Sequence, residues 1–230
     1  MTHIKFCGIT RREDAEYAVE LGVNALGFNF WPGSKRVIDS EMARDIIKNL
    51  PILVQSVGIF VNQSASEIKA IHDMCDINVV QLHGDESPKF ALNLPKLPII
   101  RAFRHIAIIH AISEWKNLKA TFLVDGGAES IAIADAILEH MLGGVKHHVT
   151  YGGSGKAADE KLINFFAHHG KIILAGGLTP DNVAERVRKY RPFAVDVASG
   201  IESAPGIKDH SKMRDFVLAV REIDAEMLQK

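Results

Sequence analysis

The sequence predicts an α/β fold, a single (β/α)8 TIM-barrel domain spanning residues 1–230, with an insertion after the sixth strand. Three observations lead there. Short apolar runs of strand length alternate strictly with helical runs, and this alternation predicts a parallel sheet covered by helices. Eight such pairs fit into 230 residues, close to the roughly 250 of a closed barrel. No GxGxxG follows the first strand, which counts against the rival, an open doubly wound sheet.

In chain order, His3–Cys7 reads as a strand. Thr10 is placed to cap a helix over Arg11–Leu21, with Glu13 at the capping-box position, and Gly22 stops it. Ala25–Phe30 is the next strand, followed by a loop through Trp31 to Arg36. Ser40 begins a helix whose apolar residues Met42, Ala43, Ile46, Ile47 and Leu50 keep helical spacing. Gln55–Phe60 is a strand, and Ser64–Met74 a helix capped by Ser64 with Glu67 in the third position. Strand Asn78–Leu82 runs into His83-Gly84-Asp85-Glu86, then a short helix over Ser87–Leu94. Ile99–Phe103 and Ala120–Val124 are strands, with a helix over Ile106–Trp115 between them. The least regular part follows: a helical stretch over Ser130–Met141, a break at Gly143-Gly144, and a glycine loop, Tyr151-Gly152-Gly153-Ser154-Gly155-Lys156. Asp159–His169 is a helix and Ile172–Ala175 a strand that enters Gly176-Gly177. Pro180 suits a first helical position, with Leu178 or Thr179 as cap, and Val183–Tyr190 continue that helix. Strand Phe193–Ala198 ends in Ser199-Gly200, and Asp209–Leu228 is the closing helix.

Composition narrows the function classes. The chain is 47% hydrophobic with a net charge of −1, from 27 basic and 28 acidic residues. No basic run suggests nucleic acid, and no segment reaches the roughly 18 apolar residues of a membrane span. The start, MTHIKFCGIT, lacks the pattern of a secretory signal, and the two cysteines are isolated. A cytoplasmic protein with free thiols is expected.

In a barrel, chemistry sits where strands end and the following loops begin. That rule selects Cys7, Arg36, Gln81, His83, Asp125, Gly153, Gly155, Gly176, Gly177, Asp196, Ser199 and Gly200. Cys7 and Asp125 have acid–base potential. A thiolate removes a proton, given nearby positive charge to activate it, and an aspartate at the end of an apolar strand can act as a donor. A buried structural cysteine and a turn-capping aspartate are the plainer readings. Two consecutive strands, Ile172–Ala175 and Phe193–Ala198, end in small residues followed by helix starts. Backbone N–H groups side by side there suit a phosphate, although such glycines also serve tight turns alone. YGGSGKA fails as a nucleotide P-loop, because Ala157 follows Lys156 and leaves no hydroxyl for magnesium. His147-His148 and His168-His169 complete no metal-ligand spacing, so no metal is expected. Cys75, Trp31 and Trp115 read as packing or loop cover.

The stretches IKFCGIT, ALGFNFWPGSKR, VGIFVN, VVQLHGDE, YGGSGK, ILAGGLTPDNV and AVDVASGIE, followed by PGIKD, together resemble the phosphoribosylanthranilate isomerase family of tryptophan biosynthesis along nearly the whole chain. The resemblance implies an Amadori rearrangement of N-(5-phosphoribosyl)anthranilate to 1-(2-carboxyphenylamino)-1-deoxyribulose 5-phosphate, without metal or organic cofactor. It implies Cys7 as general base, Asp125 as general acid and Arg36 as partner of the anthranilate carboxylate. Gln81, His83 and Asp196 are then expected to contact substrate, and the turns at Gly153 and Gly155, Gly176-Gly177 and Ser199-Gly200 to hold the phosphate. The expected partner is this phosphorylated small molecule, bound by a monomer or homodimer. The chain departs from the family pattern at Gly126–Thr150, which separate the acid from the glycine loop, and at Ala157-Ala158-Asp159-Glu160, where the family often has Thr-Phe-Asp-Trp. Two alternatives are the sugar-phosphate isomerase of histidine biosynthesis, which has an aspartate at the Cys7 position, and a non-catalytic barrel that senses a sugar phosphate. A glycine pair for a second phosphate is missing after Phe60 and Leu82, and a sensor would need neither Cys7 nor Asp125.

Overall fold

Eight parallel strands close into a barrel in the order β1 to β8, with β1 hydrogen-bonded to both β2 and β8 in this computed structural model. The structure describes residues 1–104, 112–126 and 157–229. In chain order the elements are β1 (His3–Cys7), α1 (Arg12–Glu20), β2 (Ala25–Asn29), α2 (Ser40–Ile47), β3 (Gln55–Phe60), α3 (Ala65–Cys75), β4 (Val79–Leu82) and α4 (Pro88–Ala91). They continue with β5 (Ile99–Phe103), α5 (Ile112–Asn117), β6 (Thr121–Val124), α6 (Glu160–His169), β7 (Ile172–Leu174), α7 (Pro180–Tyr190) and β8 (Ala194–Val197). A 3₁₀ turn at Ser199–Ile201, the short strands β9 (Glu202–Ala204) and β10 (Ile207–Lys208), and α8 (His210–Leu228) complete the chain.

The strands are buried on both faces, which is why they read as apolar runs rather than as alternating ones. One face lines the barrel, with Val57, Val79, Ile100, Ala102, Leu123, Ile173, Ala175 and Ala194 packed together inside. The other face meets the helices; Phe166 of α6 stacks on Phe103 at 4.4 Å and meets Phe122 at 5.5 Å between ring centroids. Fully burying one such ring contributes about 1.5–3 kcal/mol. That contact fixes α6 behind β5 and β6, and so helps hold the strand that carries Asp125.

Several local expectations hold. Ser64 and Glu67 form the capping box of α3, and Pro180 is the first residue of α7, with Thr179 N–H donating to Asn182 Oδ1. Cys75 is buried, and its Sγ lies 3.2 Å from the Ser40 carbonyl oxygen, joining α3 to α2. Trp115 is fully buried.

Others are corrected. Thr10 does not cap α1: its hydroxyl donates to the Gly206 carbonyl, and Arg11 stands at the cap without a side-chain bond. A residue nearly two hundred positions away thus outcompetes the local capping box. Ser40 does begin α2, as expected, with Asp39 before it as the cap, accepting from the N–H groups of Glu41 and Met42; Met42 itself is exposed. The second small-residue turn leads only into a three-residue 3₁₀ turn and a hairpin, not into a full helix. The helical stretch Ser130–Met141, Gly127–Thr150 of the insertion, the glycine loop Tyr151–Lys156 and the segment 105–111 lie outside the described residues. No helix among the described residues is long and apolar enough to cross a membrane.

Candidate active site

At one mouth of the barrel the strand ends bring together most of the residues selected from the sequence. Cys7 closes β1, and Asp125 follows β6 directly. Between them around the wall lie β7 and β8, whose following turns carry Gly176-Gly177 and Ser199-Gly200. A thiol and a carboxyl group therefore face one opening from two sides, with the candidate phosphate turns on the wall between them. Gly176 and Gly177 have φ of 83° and 62°. Ser199-Gly200 lies hard against the same turn: a Cβ on Gly200 would stand 1.8 Å from the Leu178 carbonyl oxygen. Only glycine permits that approach. Gly153 and Gly155, the third part of the expected phosphate cradle, lie outside the described residues.

Cys7 is partly exposed. Burial, with Asp196 beside it, holds its thiol above the ordinary value, and the positive charges of Lys5 and Lys208 offset that rise only in part. Lys5 stands opposite Asp196 in the β1–β8 register, and its Nζ donates to Asp196 Oδ1 at 2.8 Å. Burial opposes the charge on Lys5, yet Asp196 and Cys7 together hold its ammonium above the ordinary value. Asp196 is thus engaged inside the barrel by a lysine that sequence reasoning missed. The signal was available: Lys5 is the one charged residue in strand IKFC, two positions before Cys7, so both side chains fall on one face of the strand.

Arg36 reaches the same mouth from the loop after β2. It does so by crossing Gly8, where a Cβ would come within 2.5 Å of Arg36 Cδ, and Gly8 takes φ of 73°. Its guanidinium is bidentate to Glu202, Nε to Oε1 at 2.8 Å and Nη2 to Oε2 at 2.7 Å. Lys208 Nζ donates to the carbonyls of Cys7 and Ala198 and to Glu202 Oε1, at 2.6, 3.2 and 2.8 Å. The β9–β10 hairpin therefore holds both Arg36 and the end of β1. Neither Glu202 nor Lys208 was selected from the sequence, because a two-stranded clip across a Pro-Gly turn has no strong pattern.

His83, after β4, bridges across to β6: its Nε2 lies 3.2 Å from Asp125 Oδ2. Its Nδ1 lies 3.1 Å from Gln81 Nε2, and Gln81 has no exposed surface. The loop carrying His83 is fastened from below. Glu86 accepts from the N–H groups of Asn62 and Gly84 and pairs with buried Arg101 at 3.1 Å, while Arg101 also donates to the Leu82 and Gly84 carbonyls. Among the described residues no group of three or more His, Cys, Asp or Glu is arranged to hold a metal ion.

Comparison with known proteins agrees with the resemblance read from the motifs. A family profile described as N-(5'-phosphoribosyl)anthranilate (PRA) isomerase matches residues 4–219. The N-(5'-phosphoribosyl)anthranilate isomerase of Chlorobium chlorochromatii is 43% identical over 230 residues, covering 96% of this chain and 99% of its own. The crystal structure of phosphoribosyl anthranilate isomerase from Thermus thermophilus matches with a TM-score of 0.78 at 34% identity, over 96% of this chain and 100% of that one. A phosphoribosyl anthranilate isomerase solved in complex with reduced 1-(o-carboxyphenylamino)-1-deoxyribulose 5-phosphate matches with a TM-score of 0.74 at 32% identity, over 96% and 100%.

Proposed function

Because this chain belongs to the N-(5'-phosphoribosyl)anthranilate isomerase family, and so isomerises that compound in tryptophan biosynthesis, we propose that Cys7 is its general base and Asp125 its general acid. The observation that carries this assignment is their placement at one barrel mouth, on either side of the turns after β7 and β8. The rearrangement to 1-(2-carboxyphenylamino)-1-deoxyribulose 5-phosphate needs a proton given on one side of a small sugar and another taken on the other. Asp125 gives its proton to the furanose ring oxygen; the C1–O bond breaks as the nitrogen lone pair forms the Schiff base. Cys7 thiolate then takes the C2 proton, and the C2–H electrons form the enolamine double bond. Protonation at C1 and loss of the enol hydroxyl proton give the ketone. Every step is a proton transfer, so no metal or organic cofactor is called for.

Arg36 is the partner of the anthranilate carboxylate. Glu202 occupies two of its five N–H donors and fixes the plane of the guanidinium, so the remaining donors meet a carboxylate in a set direction. The turns Gly176-Gly177 and Ser199-Gly200 receive the phosphate on backbone N–H groups, with the N-terminus of α7 adding a favourable dipole. Gly153 and Gly155 belong to the same cradle in this reading. Asp196 acts through Lys5, which offsets the charge of the Cys7 thiolate. The enzyme works in the cytoplasm as a monomer or homodimer, and free cysteines suit that compartment.

The deciding experiment follows the loss of anthranilate fluorescence on purified protein. Cys7→Ser and Asp125→Asn should each lower kcat by roughly 10²–10⁴-fold, the usual contribution of a general acid or base, while product still binds. A Cys7→Ser enzyme within about threefold of the parent kcat would remove Cys7 from the mechanism. The two alternatives meet the same assay. A histidine-pathway isomerase would turn over the bis-phosphate substrate instead, and a sensor would turn over neither.

A further inference from the structure

Asp125 acts as an acid only while it holds a proton, and a carboxyl group in water is ionised at neutral pH. What loads it therefore matters. Asp125, His83 and Gln81 form one line of hydrogen bonds, 3.2 Å and then 3.1 Å, running from the barrel mouth into its closed interior. The inner end of the line is open. Gln81 Oε1 is buried and has no hydrogen-bond partner among the described residues. Such an atom in a native interior calls for an explanation.

The Gln81 amide has two useful orientations, related by exchanging Oε1 and Nε2. With Nε2 toward the ring, Nδ1 accepts. The imidazole is then neutral, with its proton on Nε2, and it donates to an ionised Asp125. With Oε1 toward the ring, Nδ1 carries a hydrogen, and the His83–Asp125 pair holds one proton more. That pair is imidazolium with carboxylate, or imidazole with carboxylic acid, and the two differ by one proton moved across the 3.2 Å bond. The geometry points to Gln81 and His83 as the device that loads Asp125. The N–H bond of His83 Nε2 breaks as the O–H bond of Asp125 forms, and the neutral Nδ1–H tautomer remains, held by Gln81 Oε1. Asp125 then gives that proton to the ring oxygen. The inventory closes within the isomerisation: the C2 proton taken by Cys7 returns at C1, and the proton lost when the enol hydroxyl becomes a ketone reloads His83. Both residues act through Asp125 and are positioning residues. The inference rests on Asp125 being the acid.

Charged groups on the neighbouring elements are paired with one another. On β5, which separates β4 from β6, Arg101 lies 3.1 Å from Glu86, and the following Arg104 lies 4.0 Å from Asp85; both carboxylates are in the His83 loop. Across the barrel Lys5 is paired with Asp196. Asp125 is the ionisable group hydrogen-bonded to the ring among the described residues.

The test uses the full chain with ¹⁵N-labelled histidine, the His83 signals being identified by their loss in His83→Asn. Gln81→Glu supplies only acceptors, and Gln81→Met supplies none at similar length. The parent should show a protonated Nδ1 at the pH of maximal activity. Gln81→Glu should move the His83 titration to higher pH and carry the alkaline limb of kcat/KM with it by the same amount. Gln81→Met should move both to lower pH and lower kcat by about tenfold or more. If one Gln81 variant fails to fold, the other and the parent spectrum decide. An Nδ1 bare throughout the active pH range, or a His83 titration that moves while the alkaline limb stays, would overturn the proposal. An Asp125→Asn enzyme that keeps its activity would overturn the acid assignment instead, a separate result read on a separate variant.

Discussion

Arg36 and Glu202 divide one task at the residue scale. A bare arginine at a barrel mouth swings through many rotamers, and ordering it costs about 2 kcal/mol of side-chain entropy. Here the bidentate bond to Glu202 and the passage over Gly8 meet that cost before substrate arrives. In the role proposed for Arg36 it anchors the substrate carboxylate, and anchoring of this kind is largely uniform binding, equal in ground and transition states. Arg36→Met should therefore raise KM by about tenfold or more while kcat falls much less. Glu202→Gln, which keeps one acceptor but loses the fork, should move KM the same way by less. Steady-state kinetics with the substrate and with an analogue lacking the carboxylate checks this: the Arg36→Met enzyme should no longer prefer the substrate. An enzyme that still discriminates strongly would assign the carboxylate to another group. Arg36 was legible in the sequence because it follows a strand in a barrel. Its partner was not, because 166 positions separate them.

At the scale of elements, the turns after β7 and β8 are one unit made by close backbone contact. Gly200 is its weak point, since the neighbouring Leu178 oxygen is main chain and cannot rotate away. Gly200→Ala should force the two turns apart and raise the inhibition constant of inorganic phosphate by about tenfold or more, the equivalent of roughly 1.4 kcal/mol. Gly22→Ala is the control. Gly22 ends α1 at φ of 74° with nothing within 4 Å of an added Cβ, so only backbone strain is introduced. It should cost about 1 kcal/mol of stability and leave phosphate inhibition unchanged. Equal phosphate inhibition in the two variants would remove the Ser199-Gly200 turn from the phosphate site.

At the scale of the whole molecule, two buried carboxylates lock the C-terminal part of the chain onto its start. Asp14 on α1 accepts from Arg11, from the Lys208 N–H and from His210, tying α1 to β10 and α8. Glu202 ties the hairpin to the loop after β2. Burial alone would raise both carboxyls. The Arg11 bonds hold Asp14 below its ordinary 3.8, and the Arg36 and Lys208 contacts hold Glu202 below 4.5. Groups depressed on folding contribute stability that is fully present above their unfolded values and is lost as pH falls through their folded ones. Urea midpoints measured from pH 7 downward should stay level until about pH 5 and then fall. Asp14→Asn should cost about 2 kcal/mol at pH 7, the size of a hydrogen bond to a charged group, and should flatten the acid slope. A variant with the parent's full acid slope would place the linkage elsewhere.

The sequence by itself determined the order and type of the elements, because strands buried on both faces must be apolar throughout and helices must show the 3.6-residue period. With the rule that barrel chemistry lies at strand ends, this also determined Cys7, Asp125, Arg36 and the glycine turns as candidates. Tertiary structure alone decided which side chains pair. The Thr10 hydroxyl left its own helix for Gly206, Arg36 met Glu202, Lys5 met Asp196, and Gln81 and His83 lined up behind Asp125. Local pattern records what a residue does to its own backbone over a few positions. Barrel closure brings β1 against β8 and sets strand ends from the whole chain around one opening, and pairings made across that distance leave no mark in the spacing of residues.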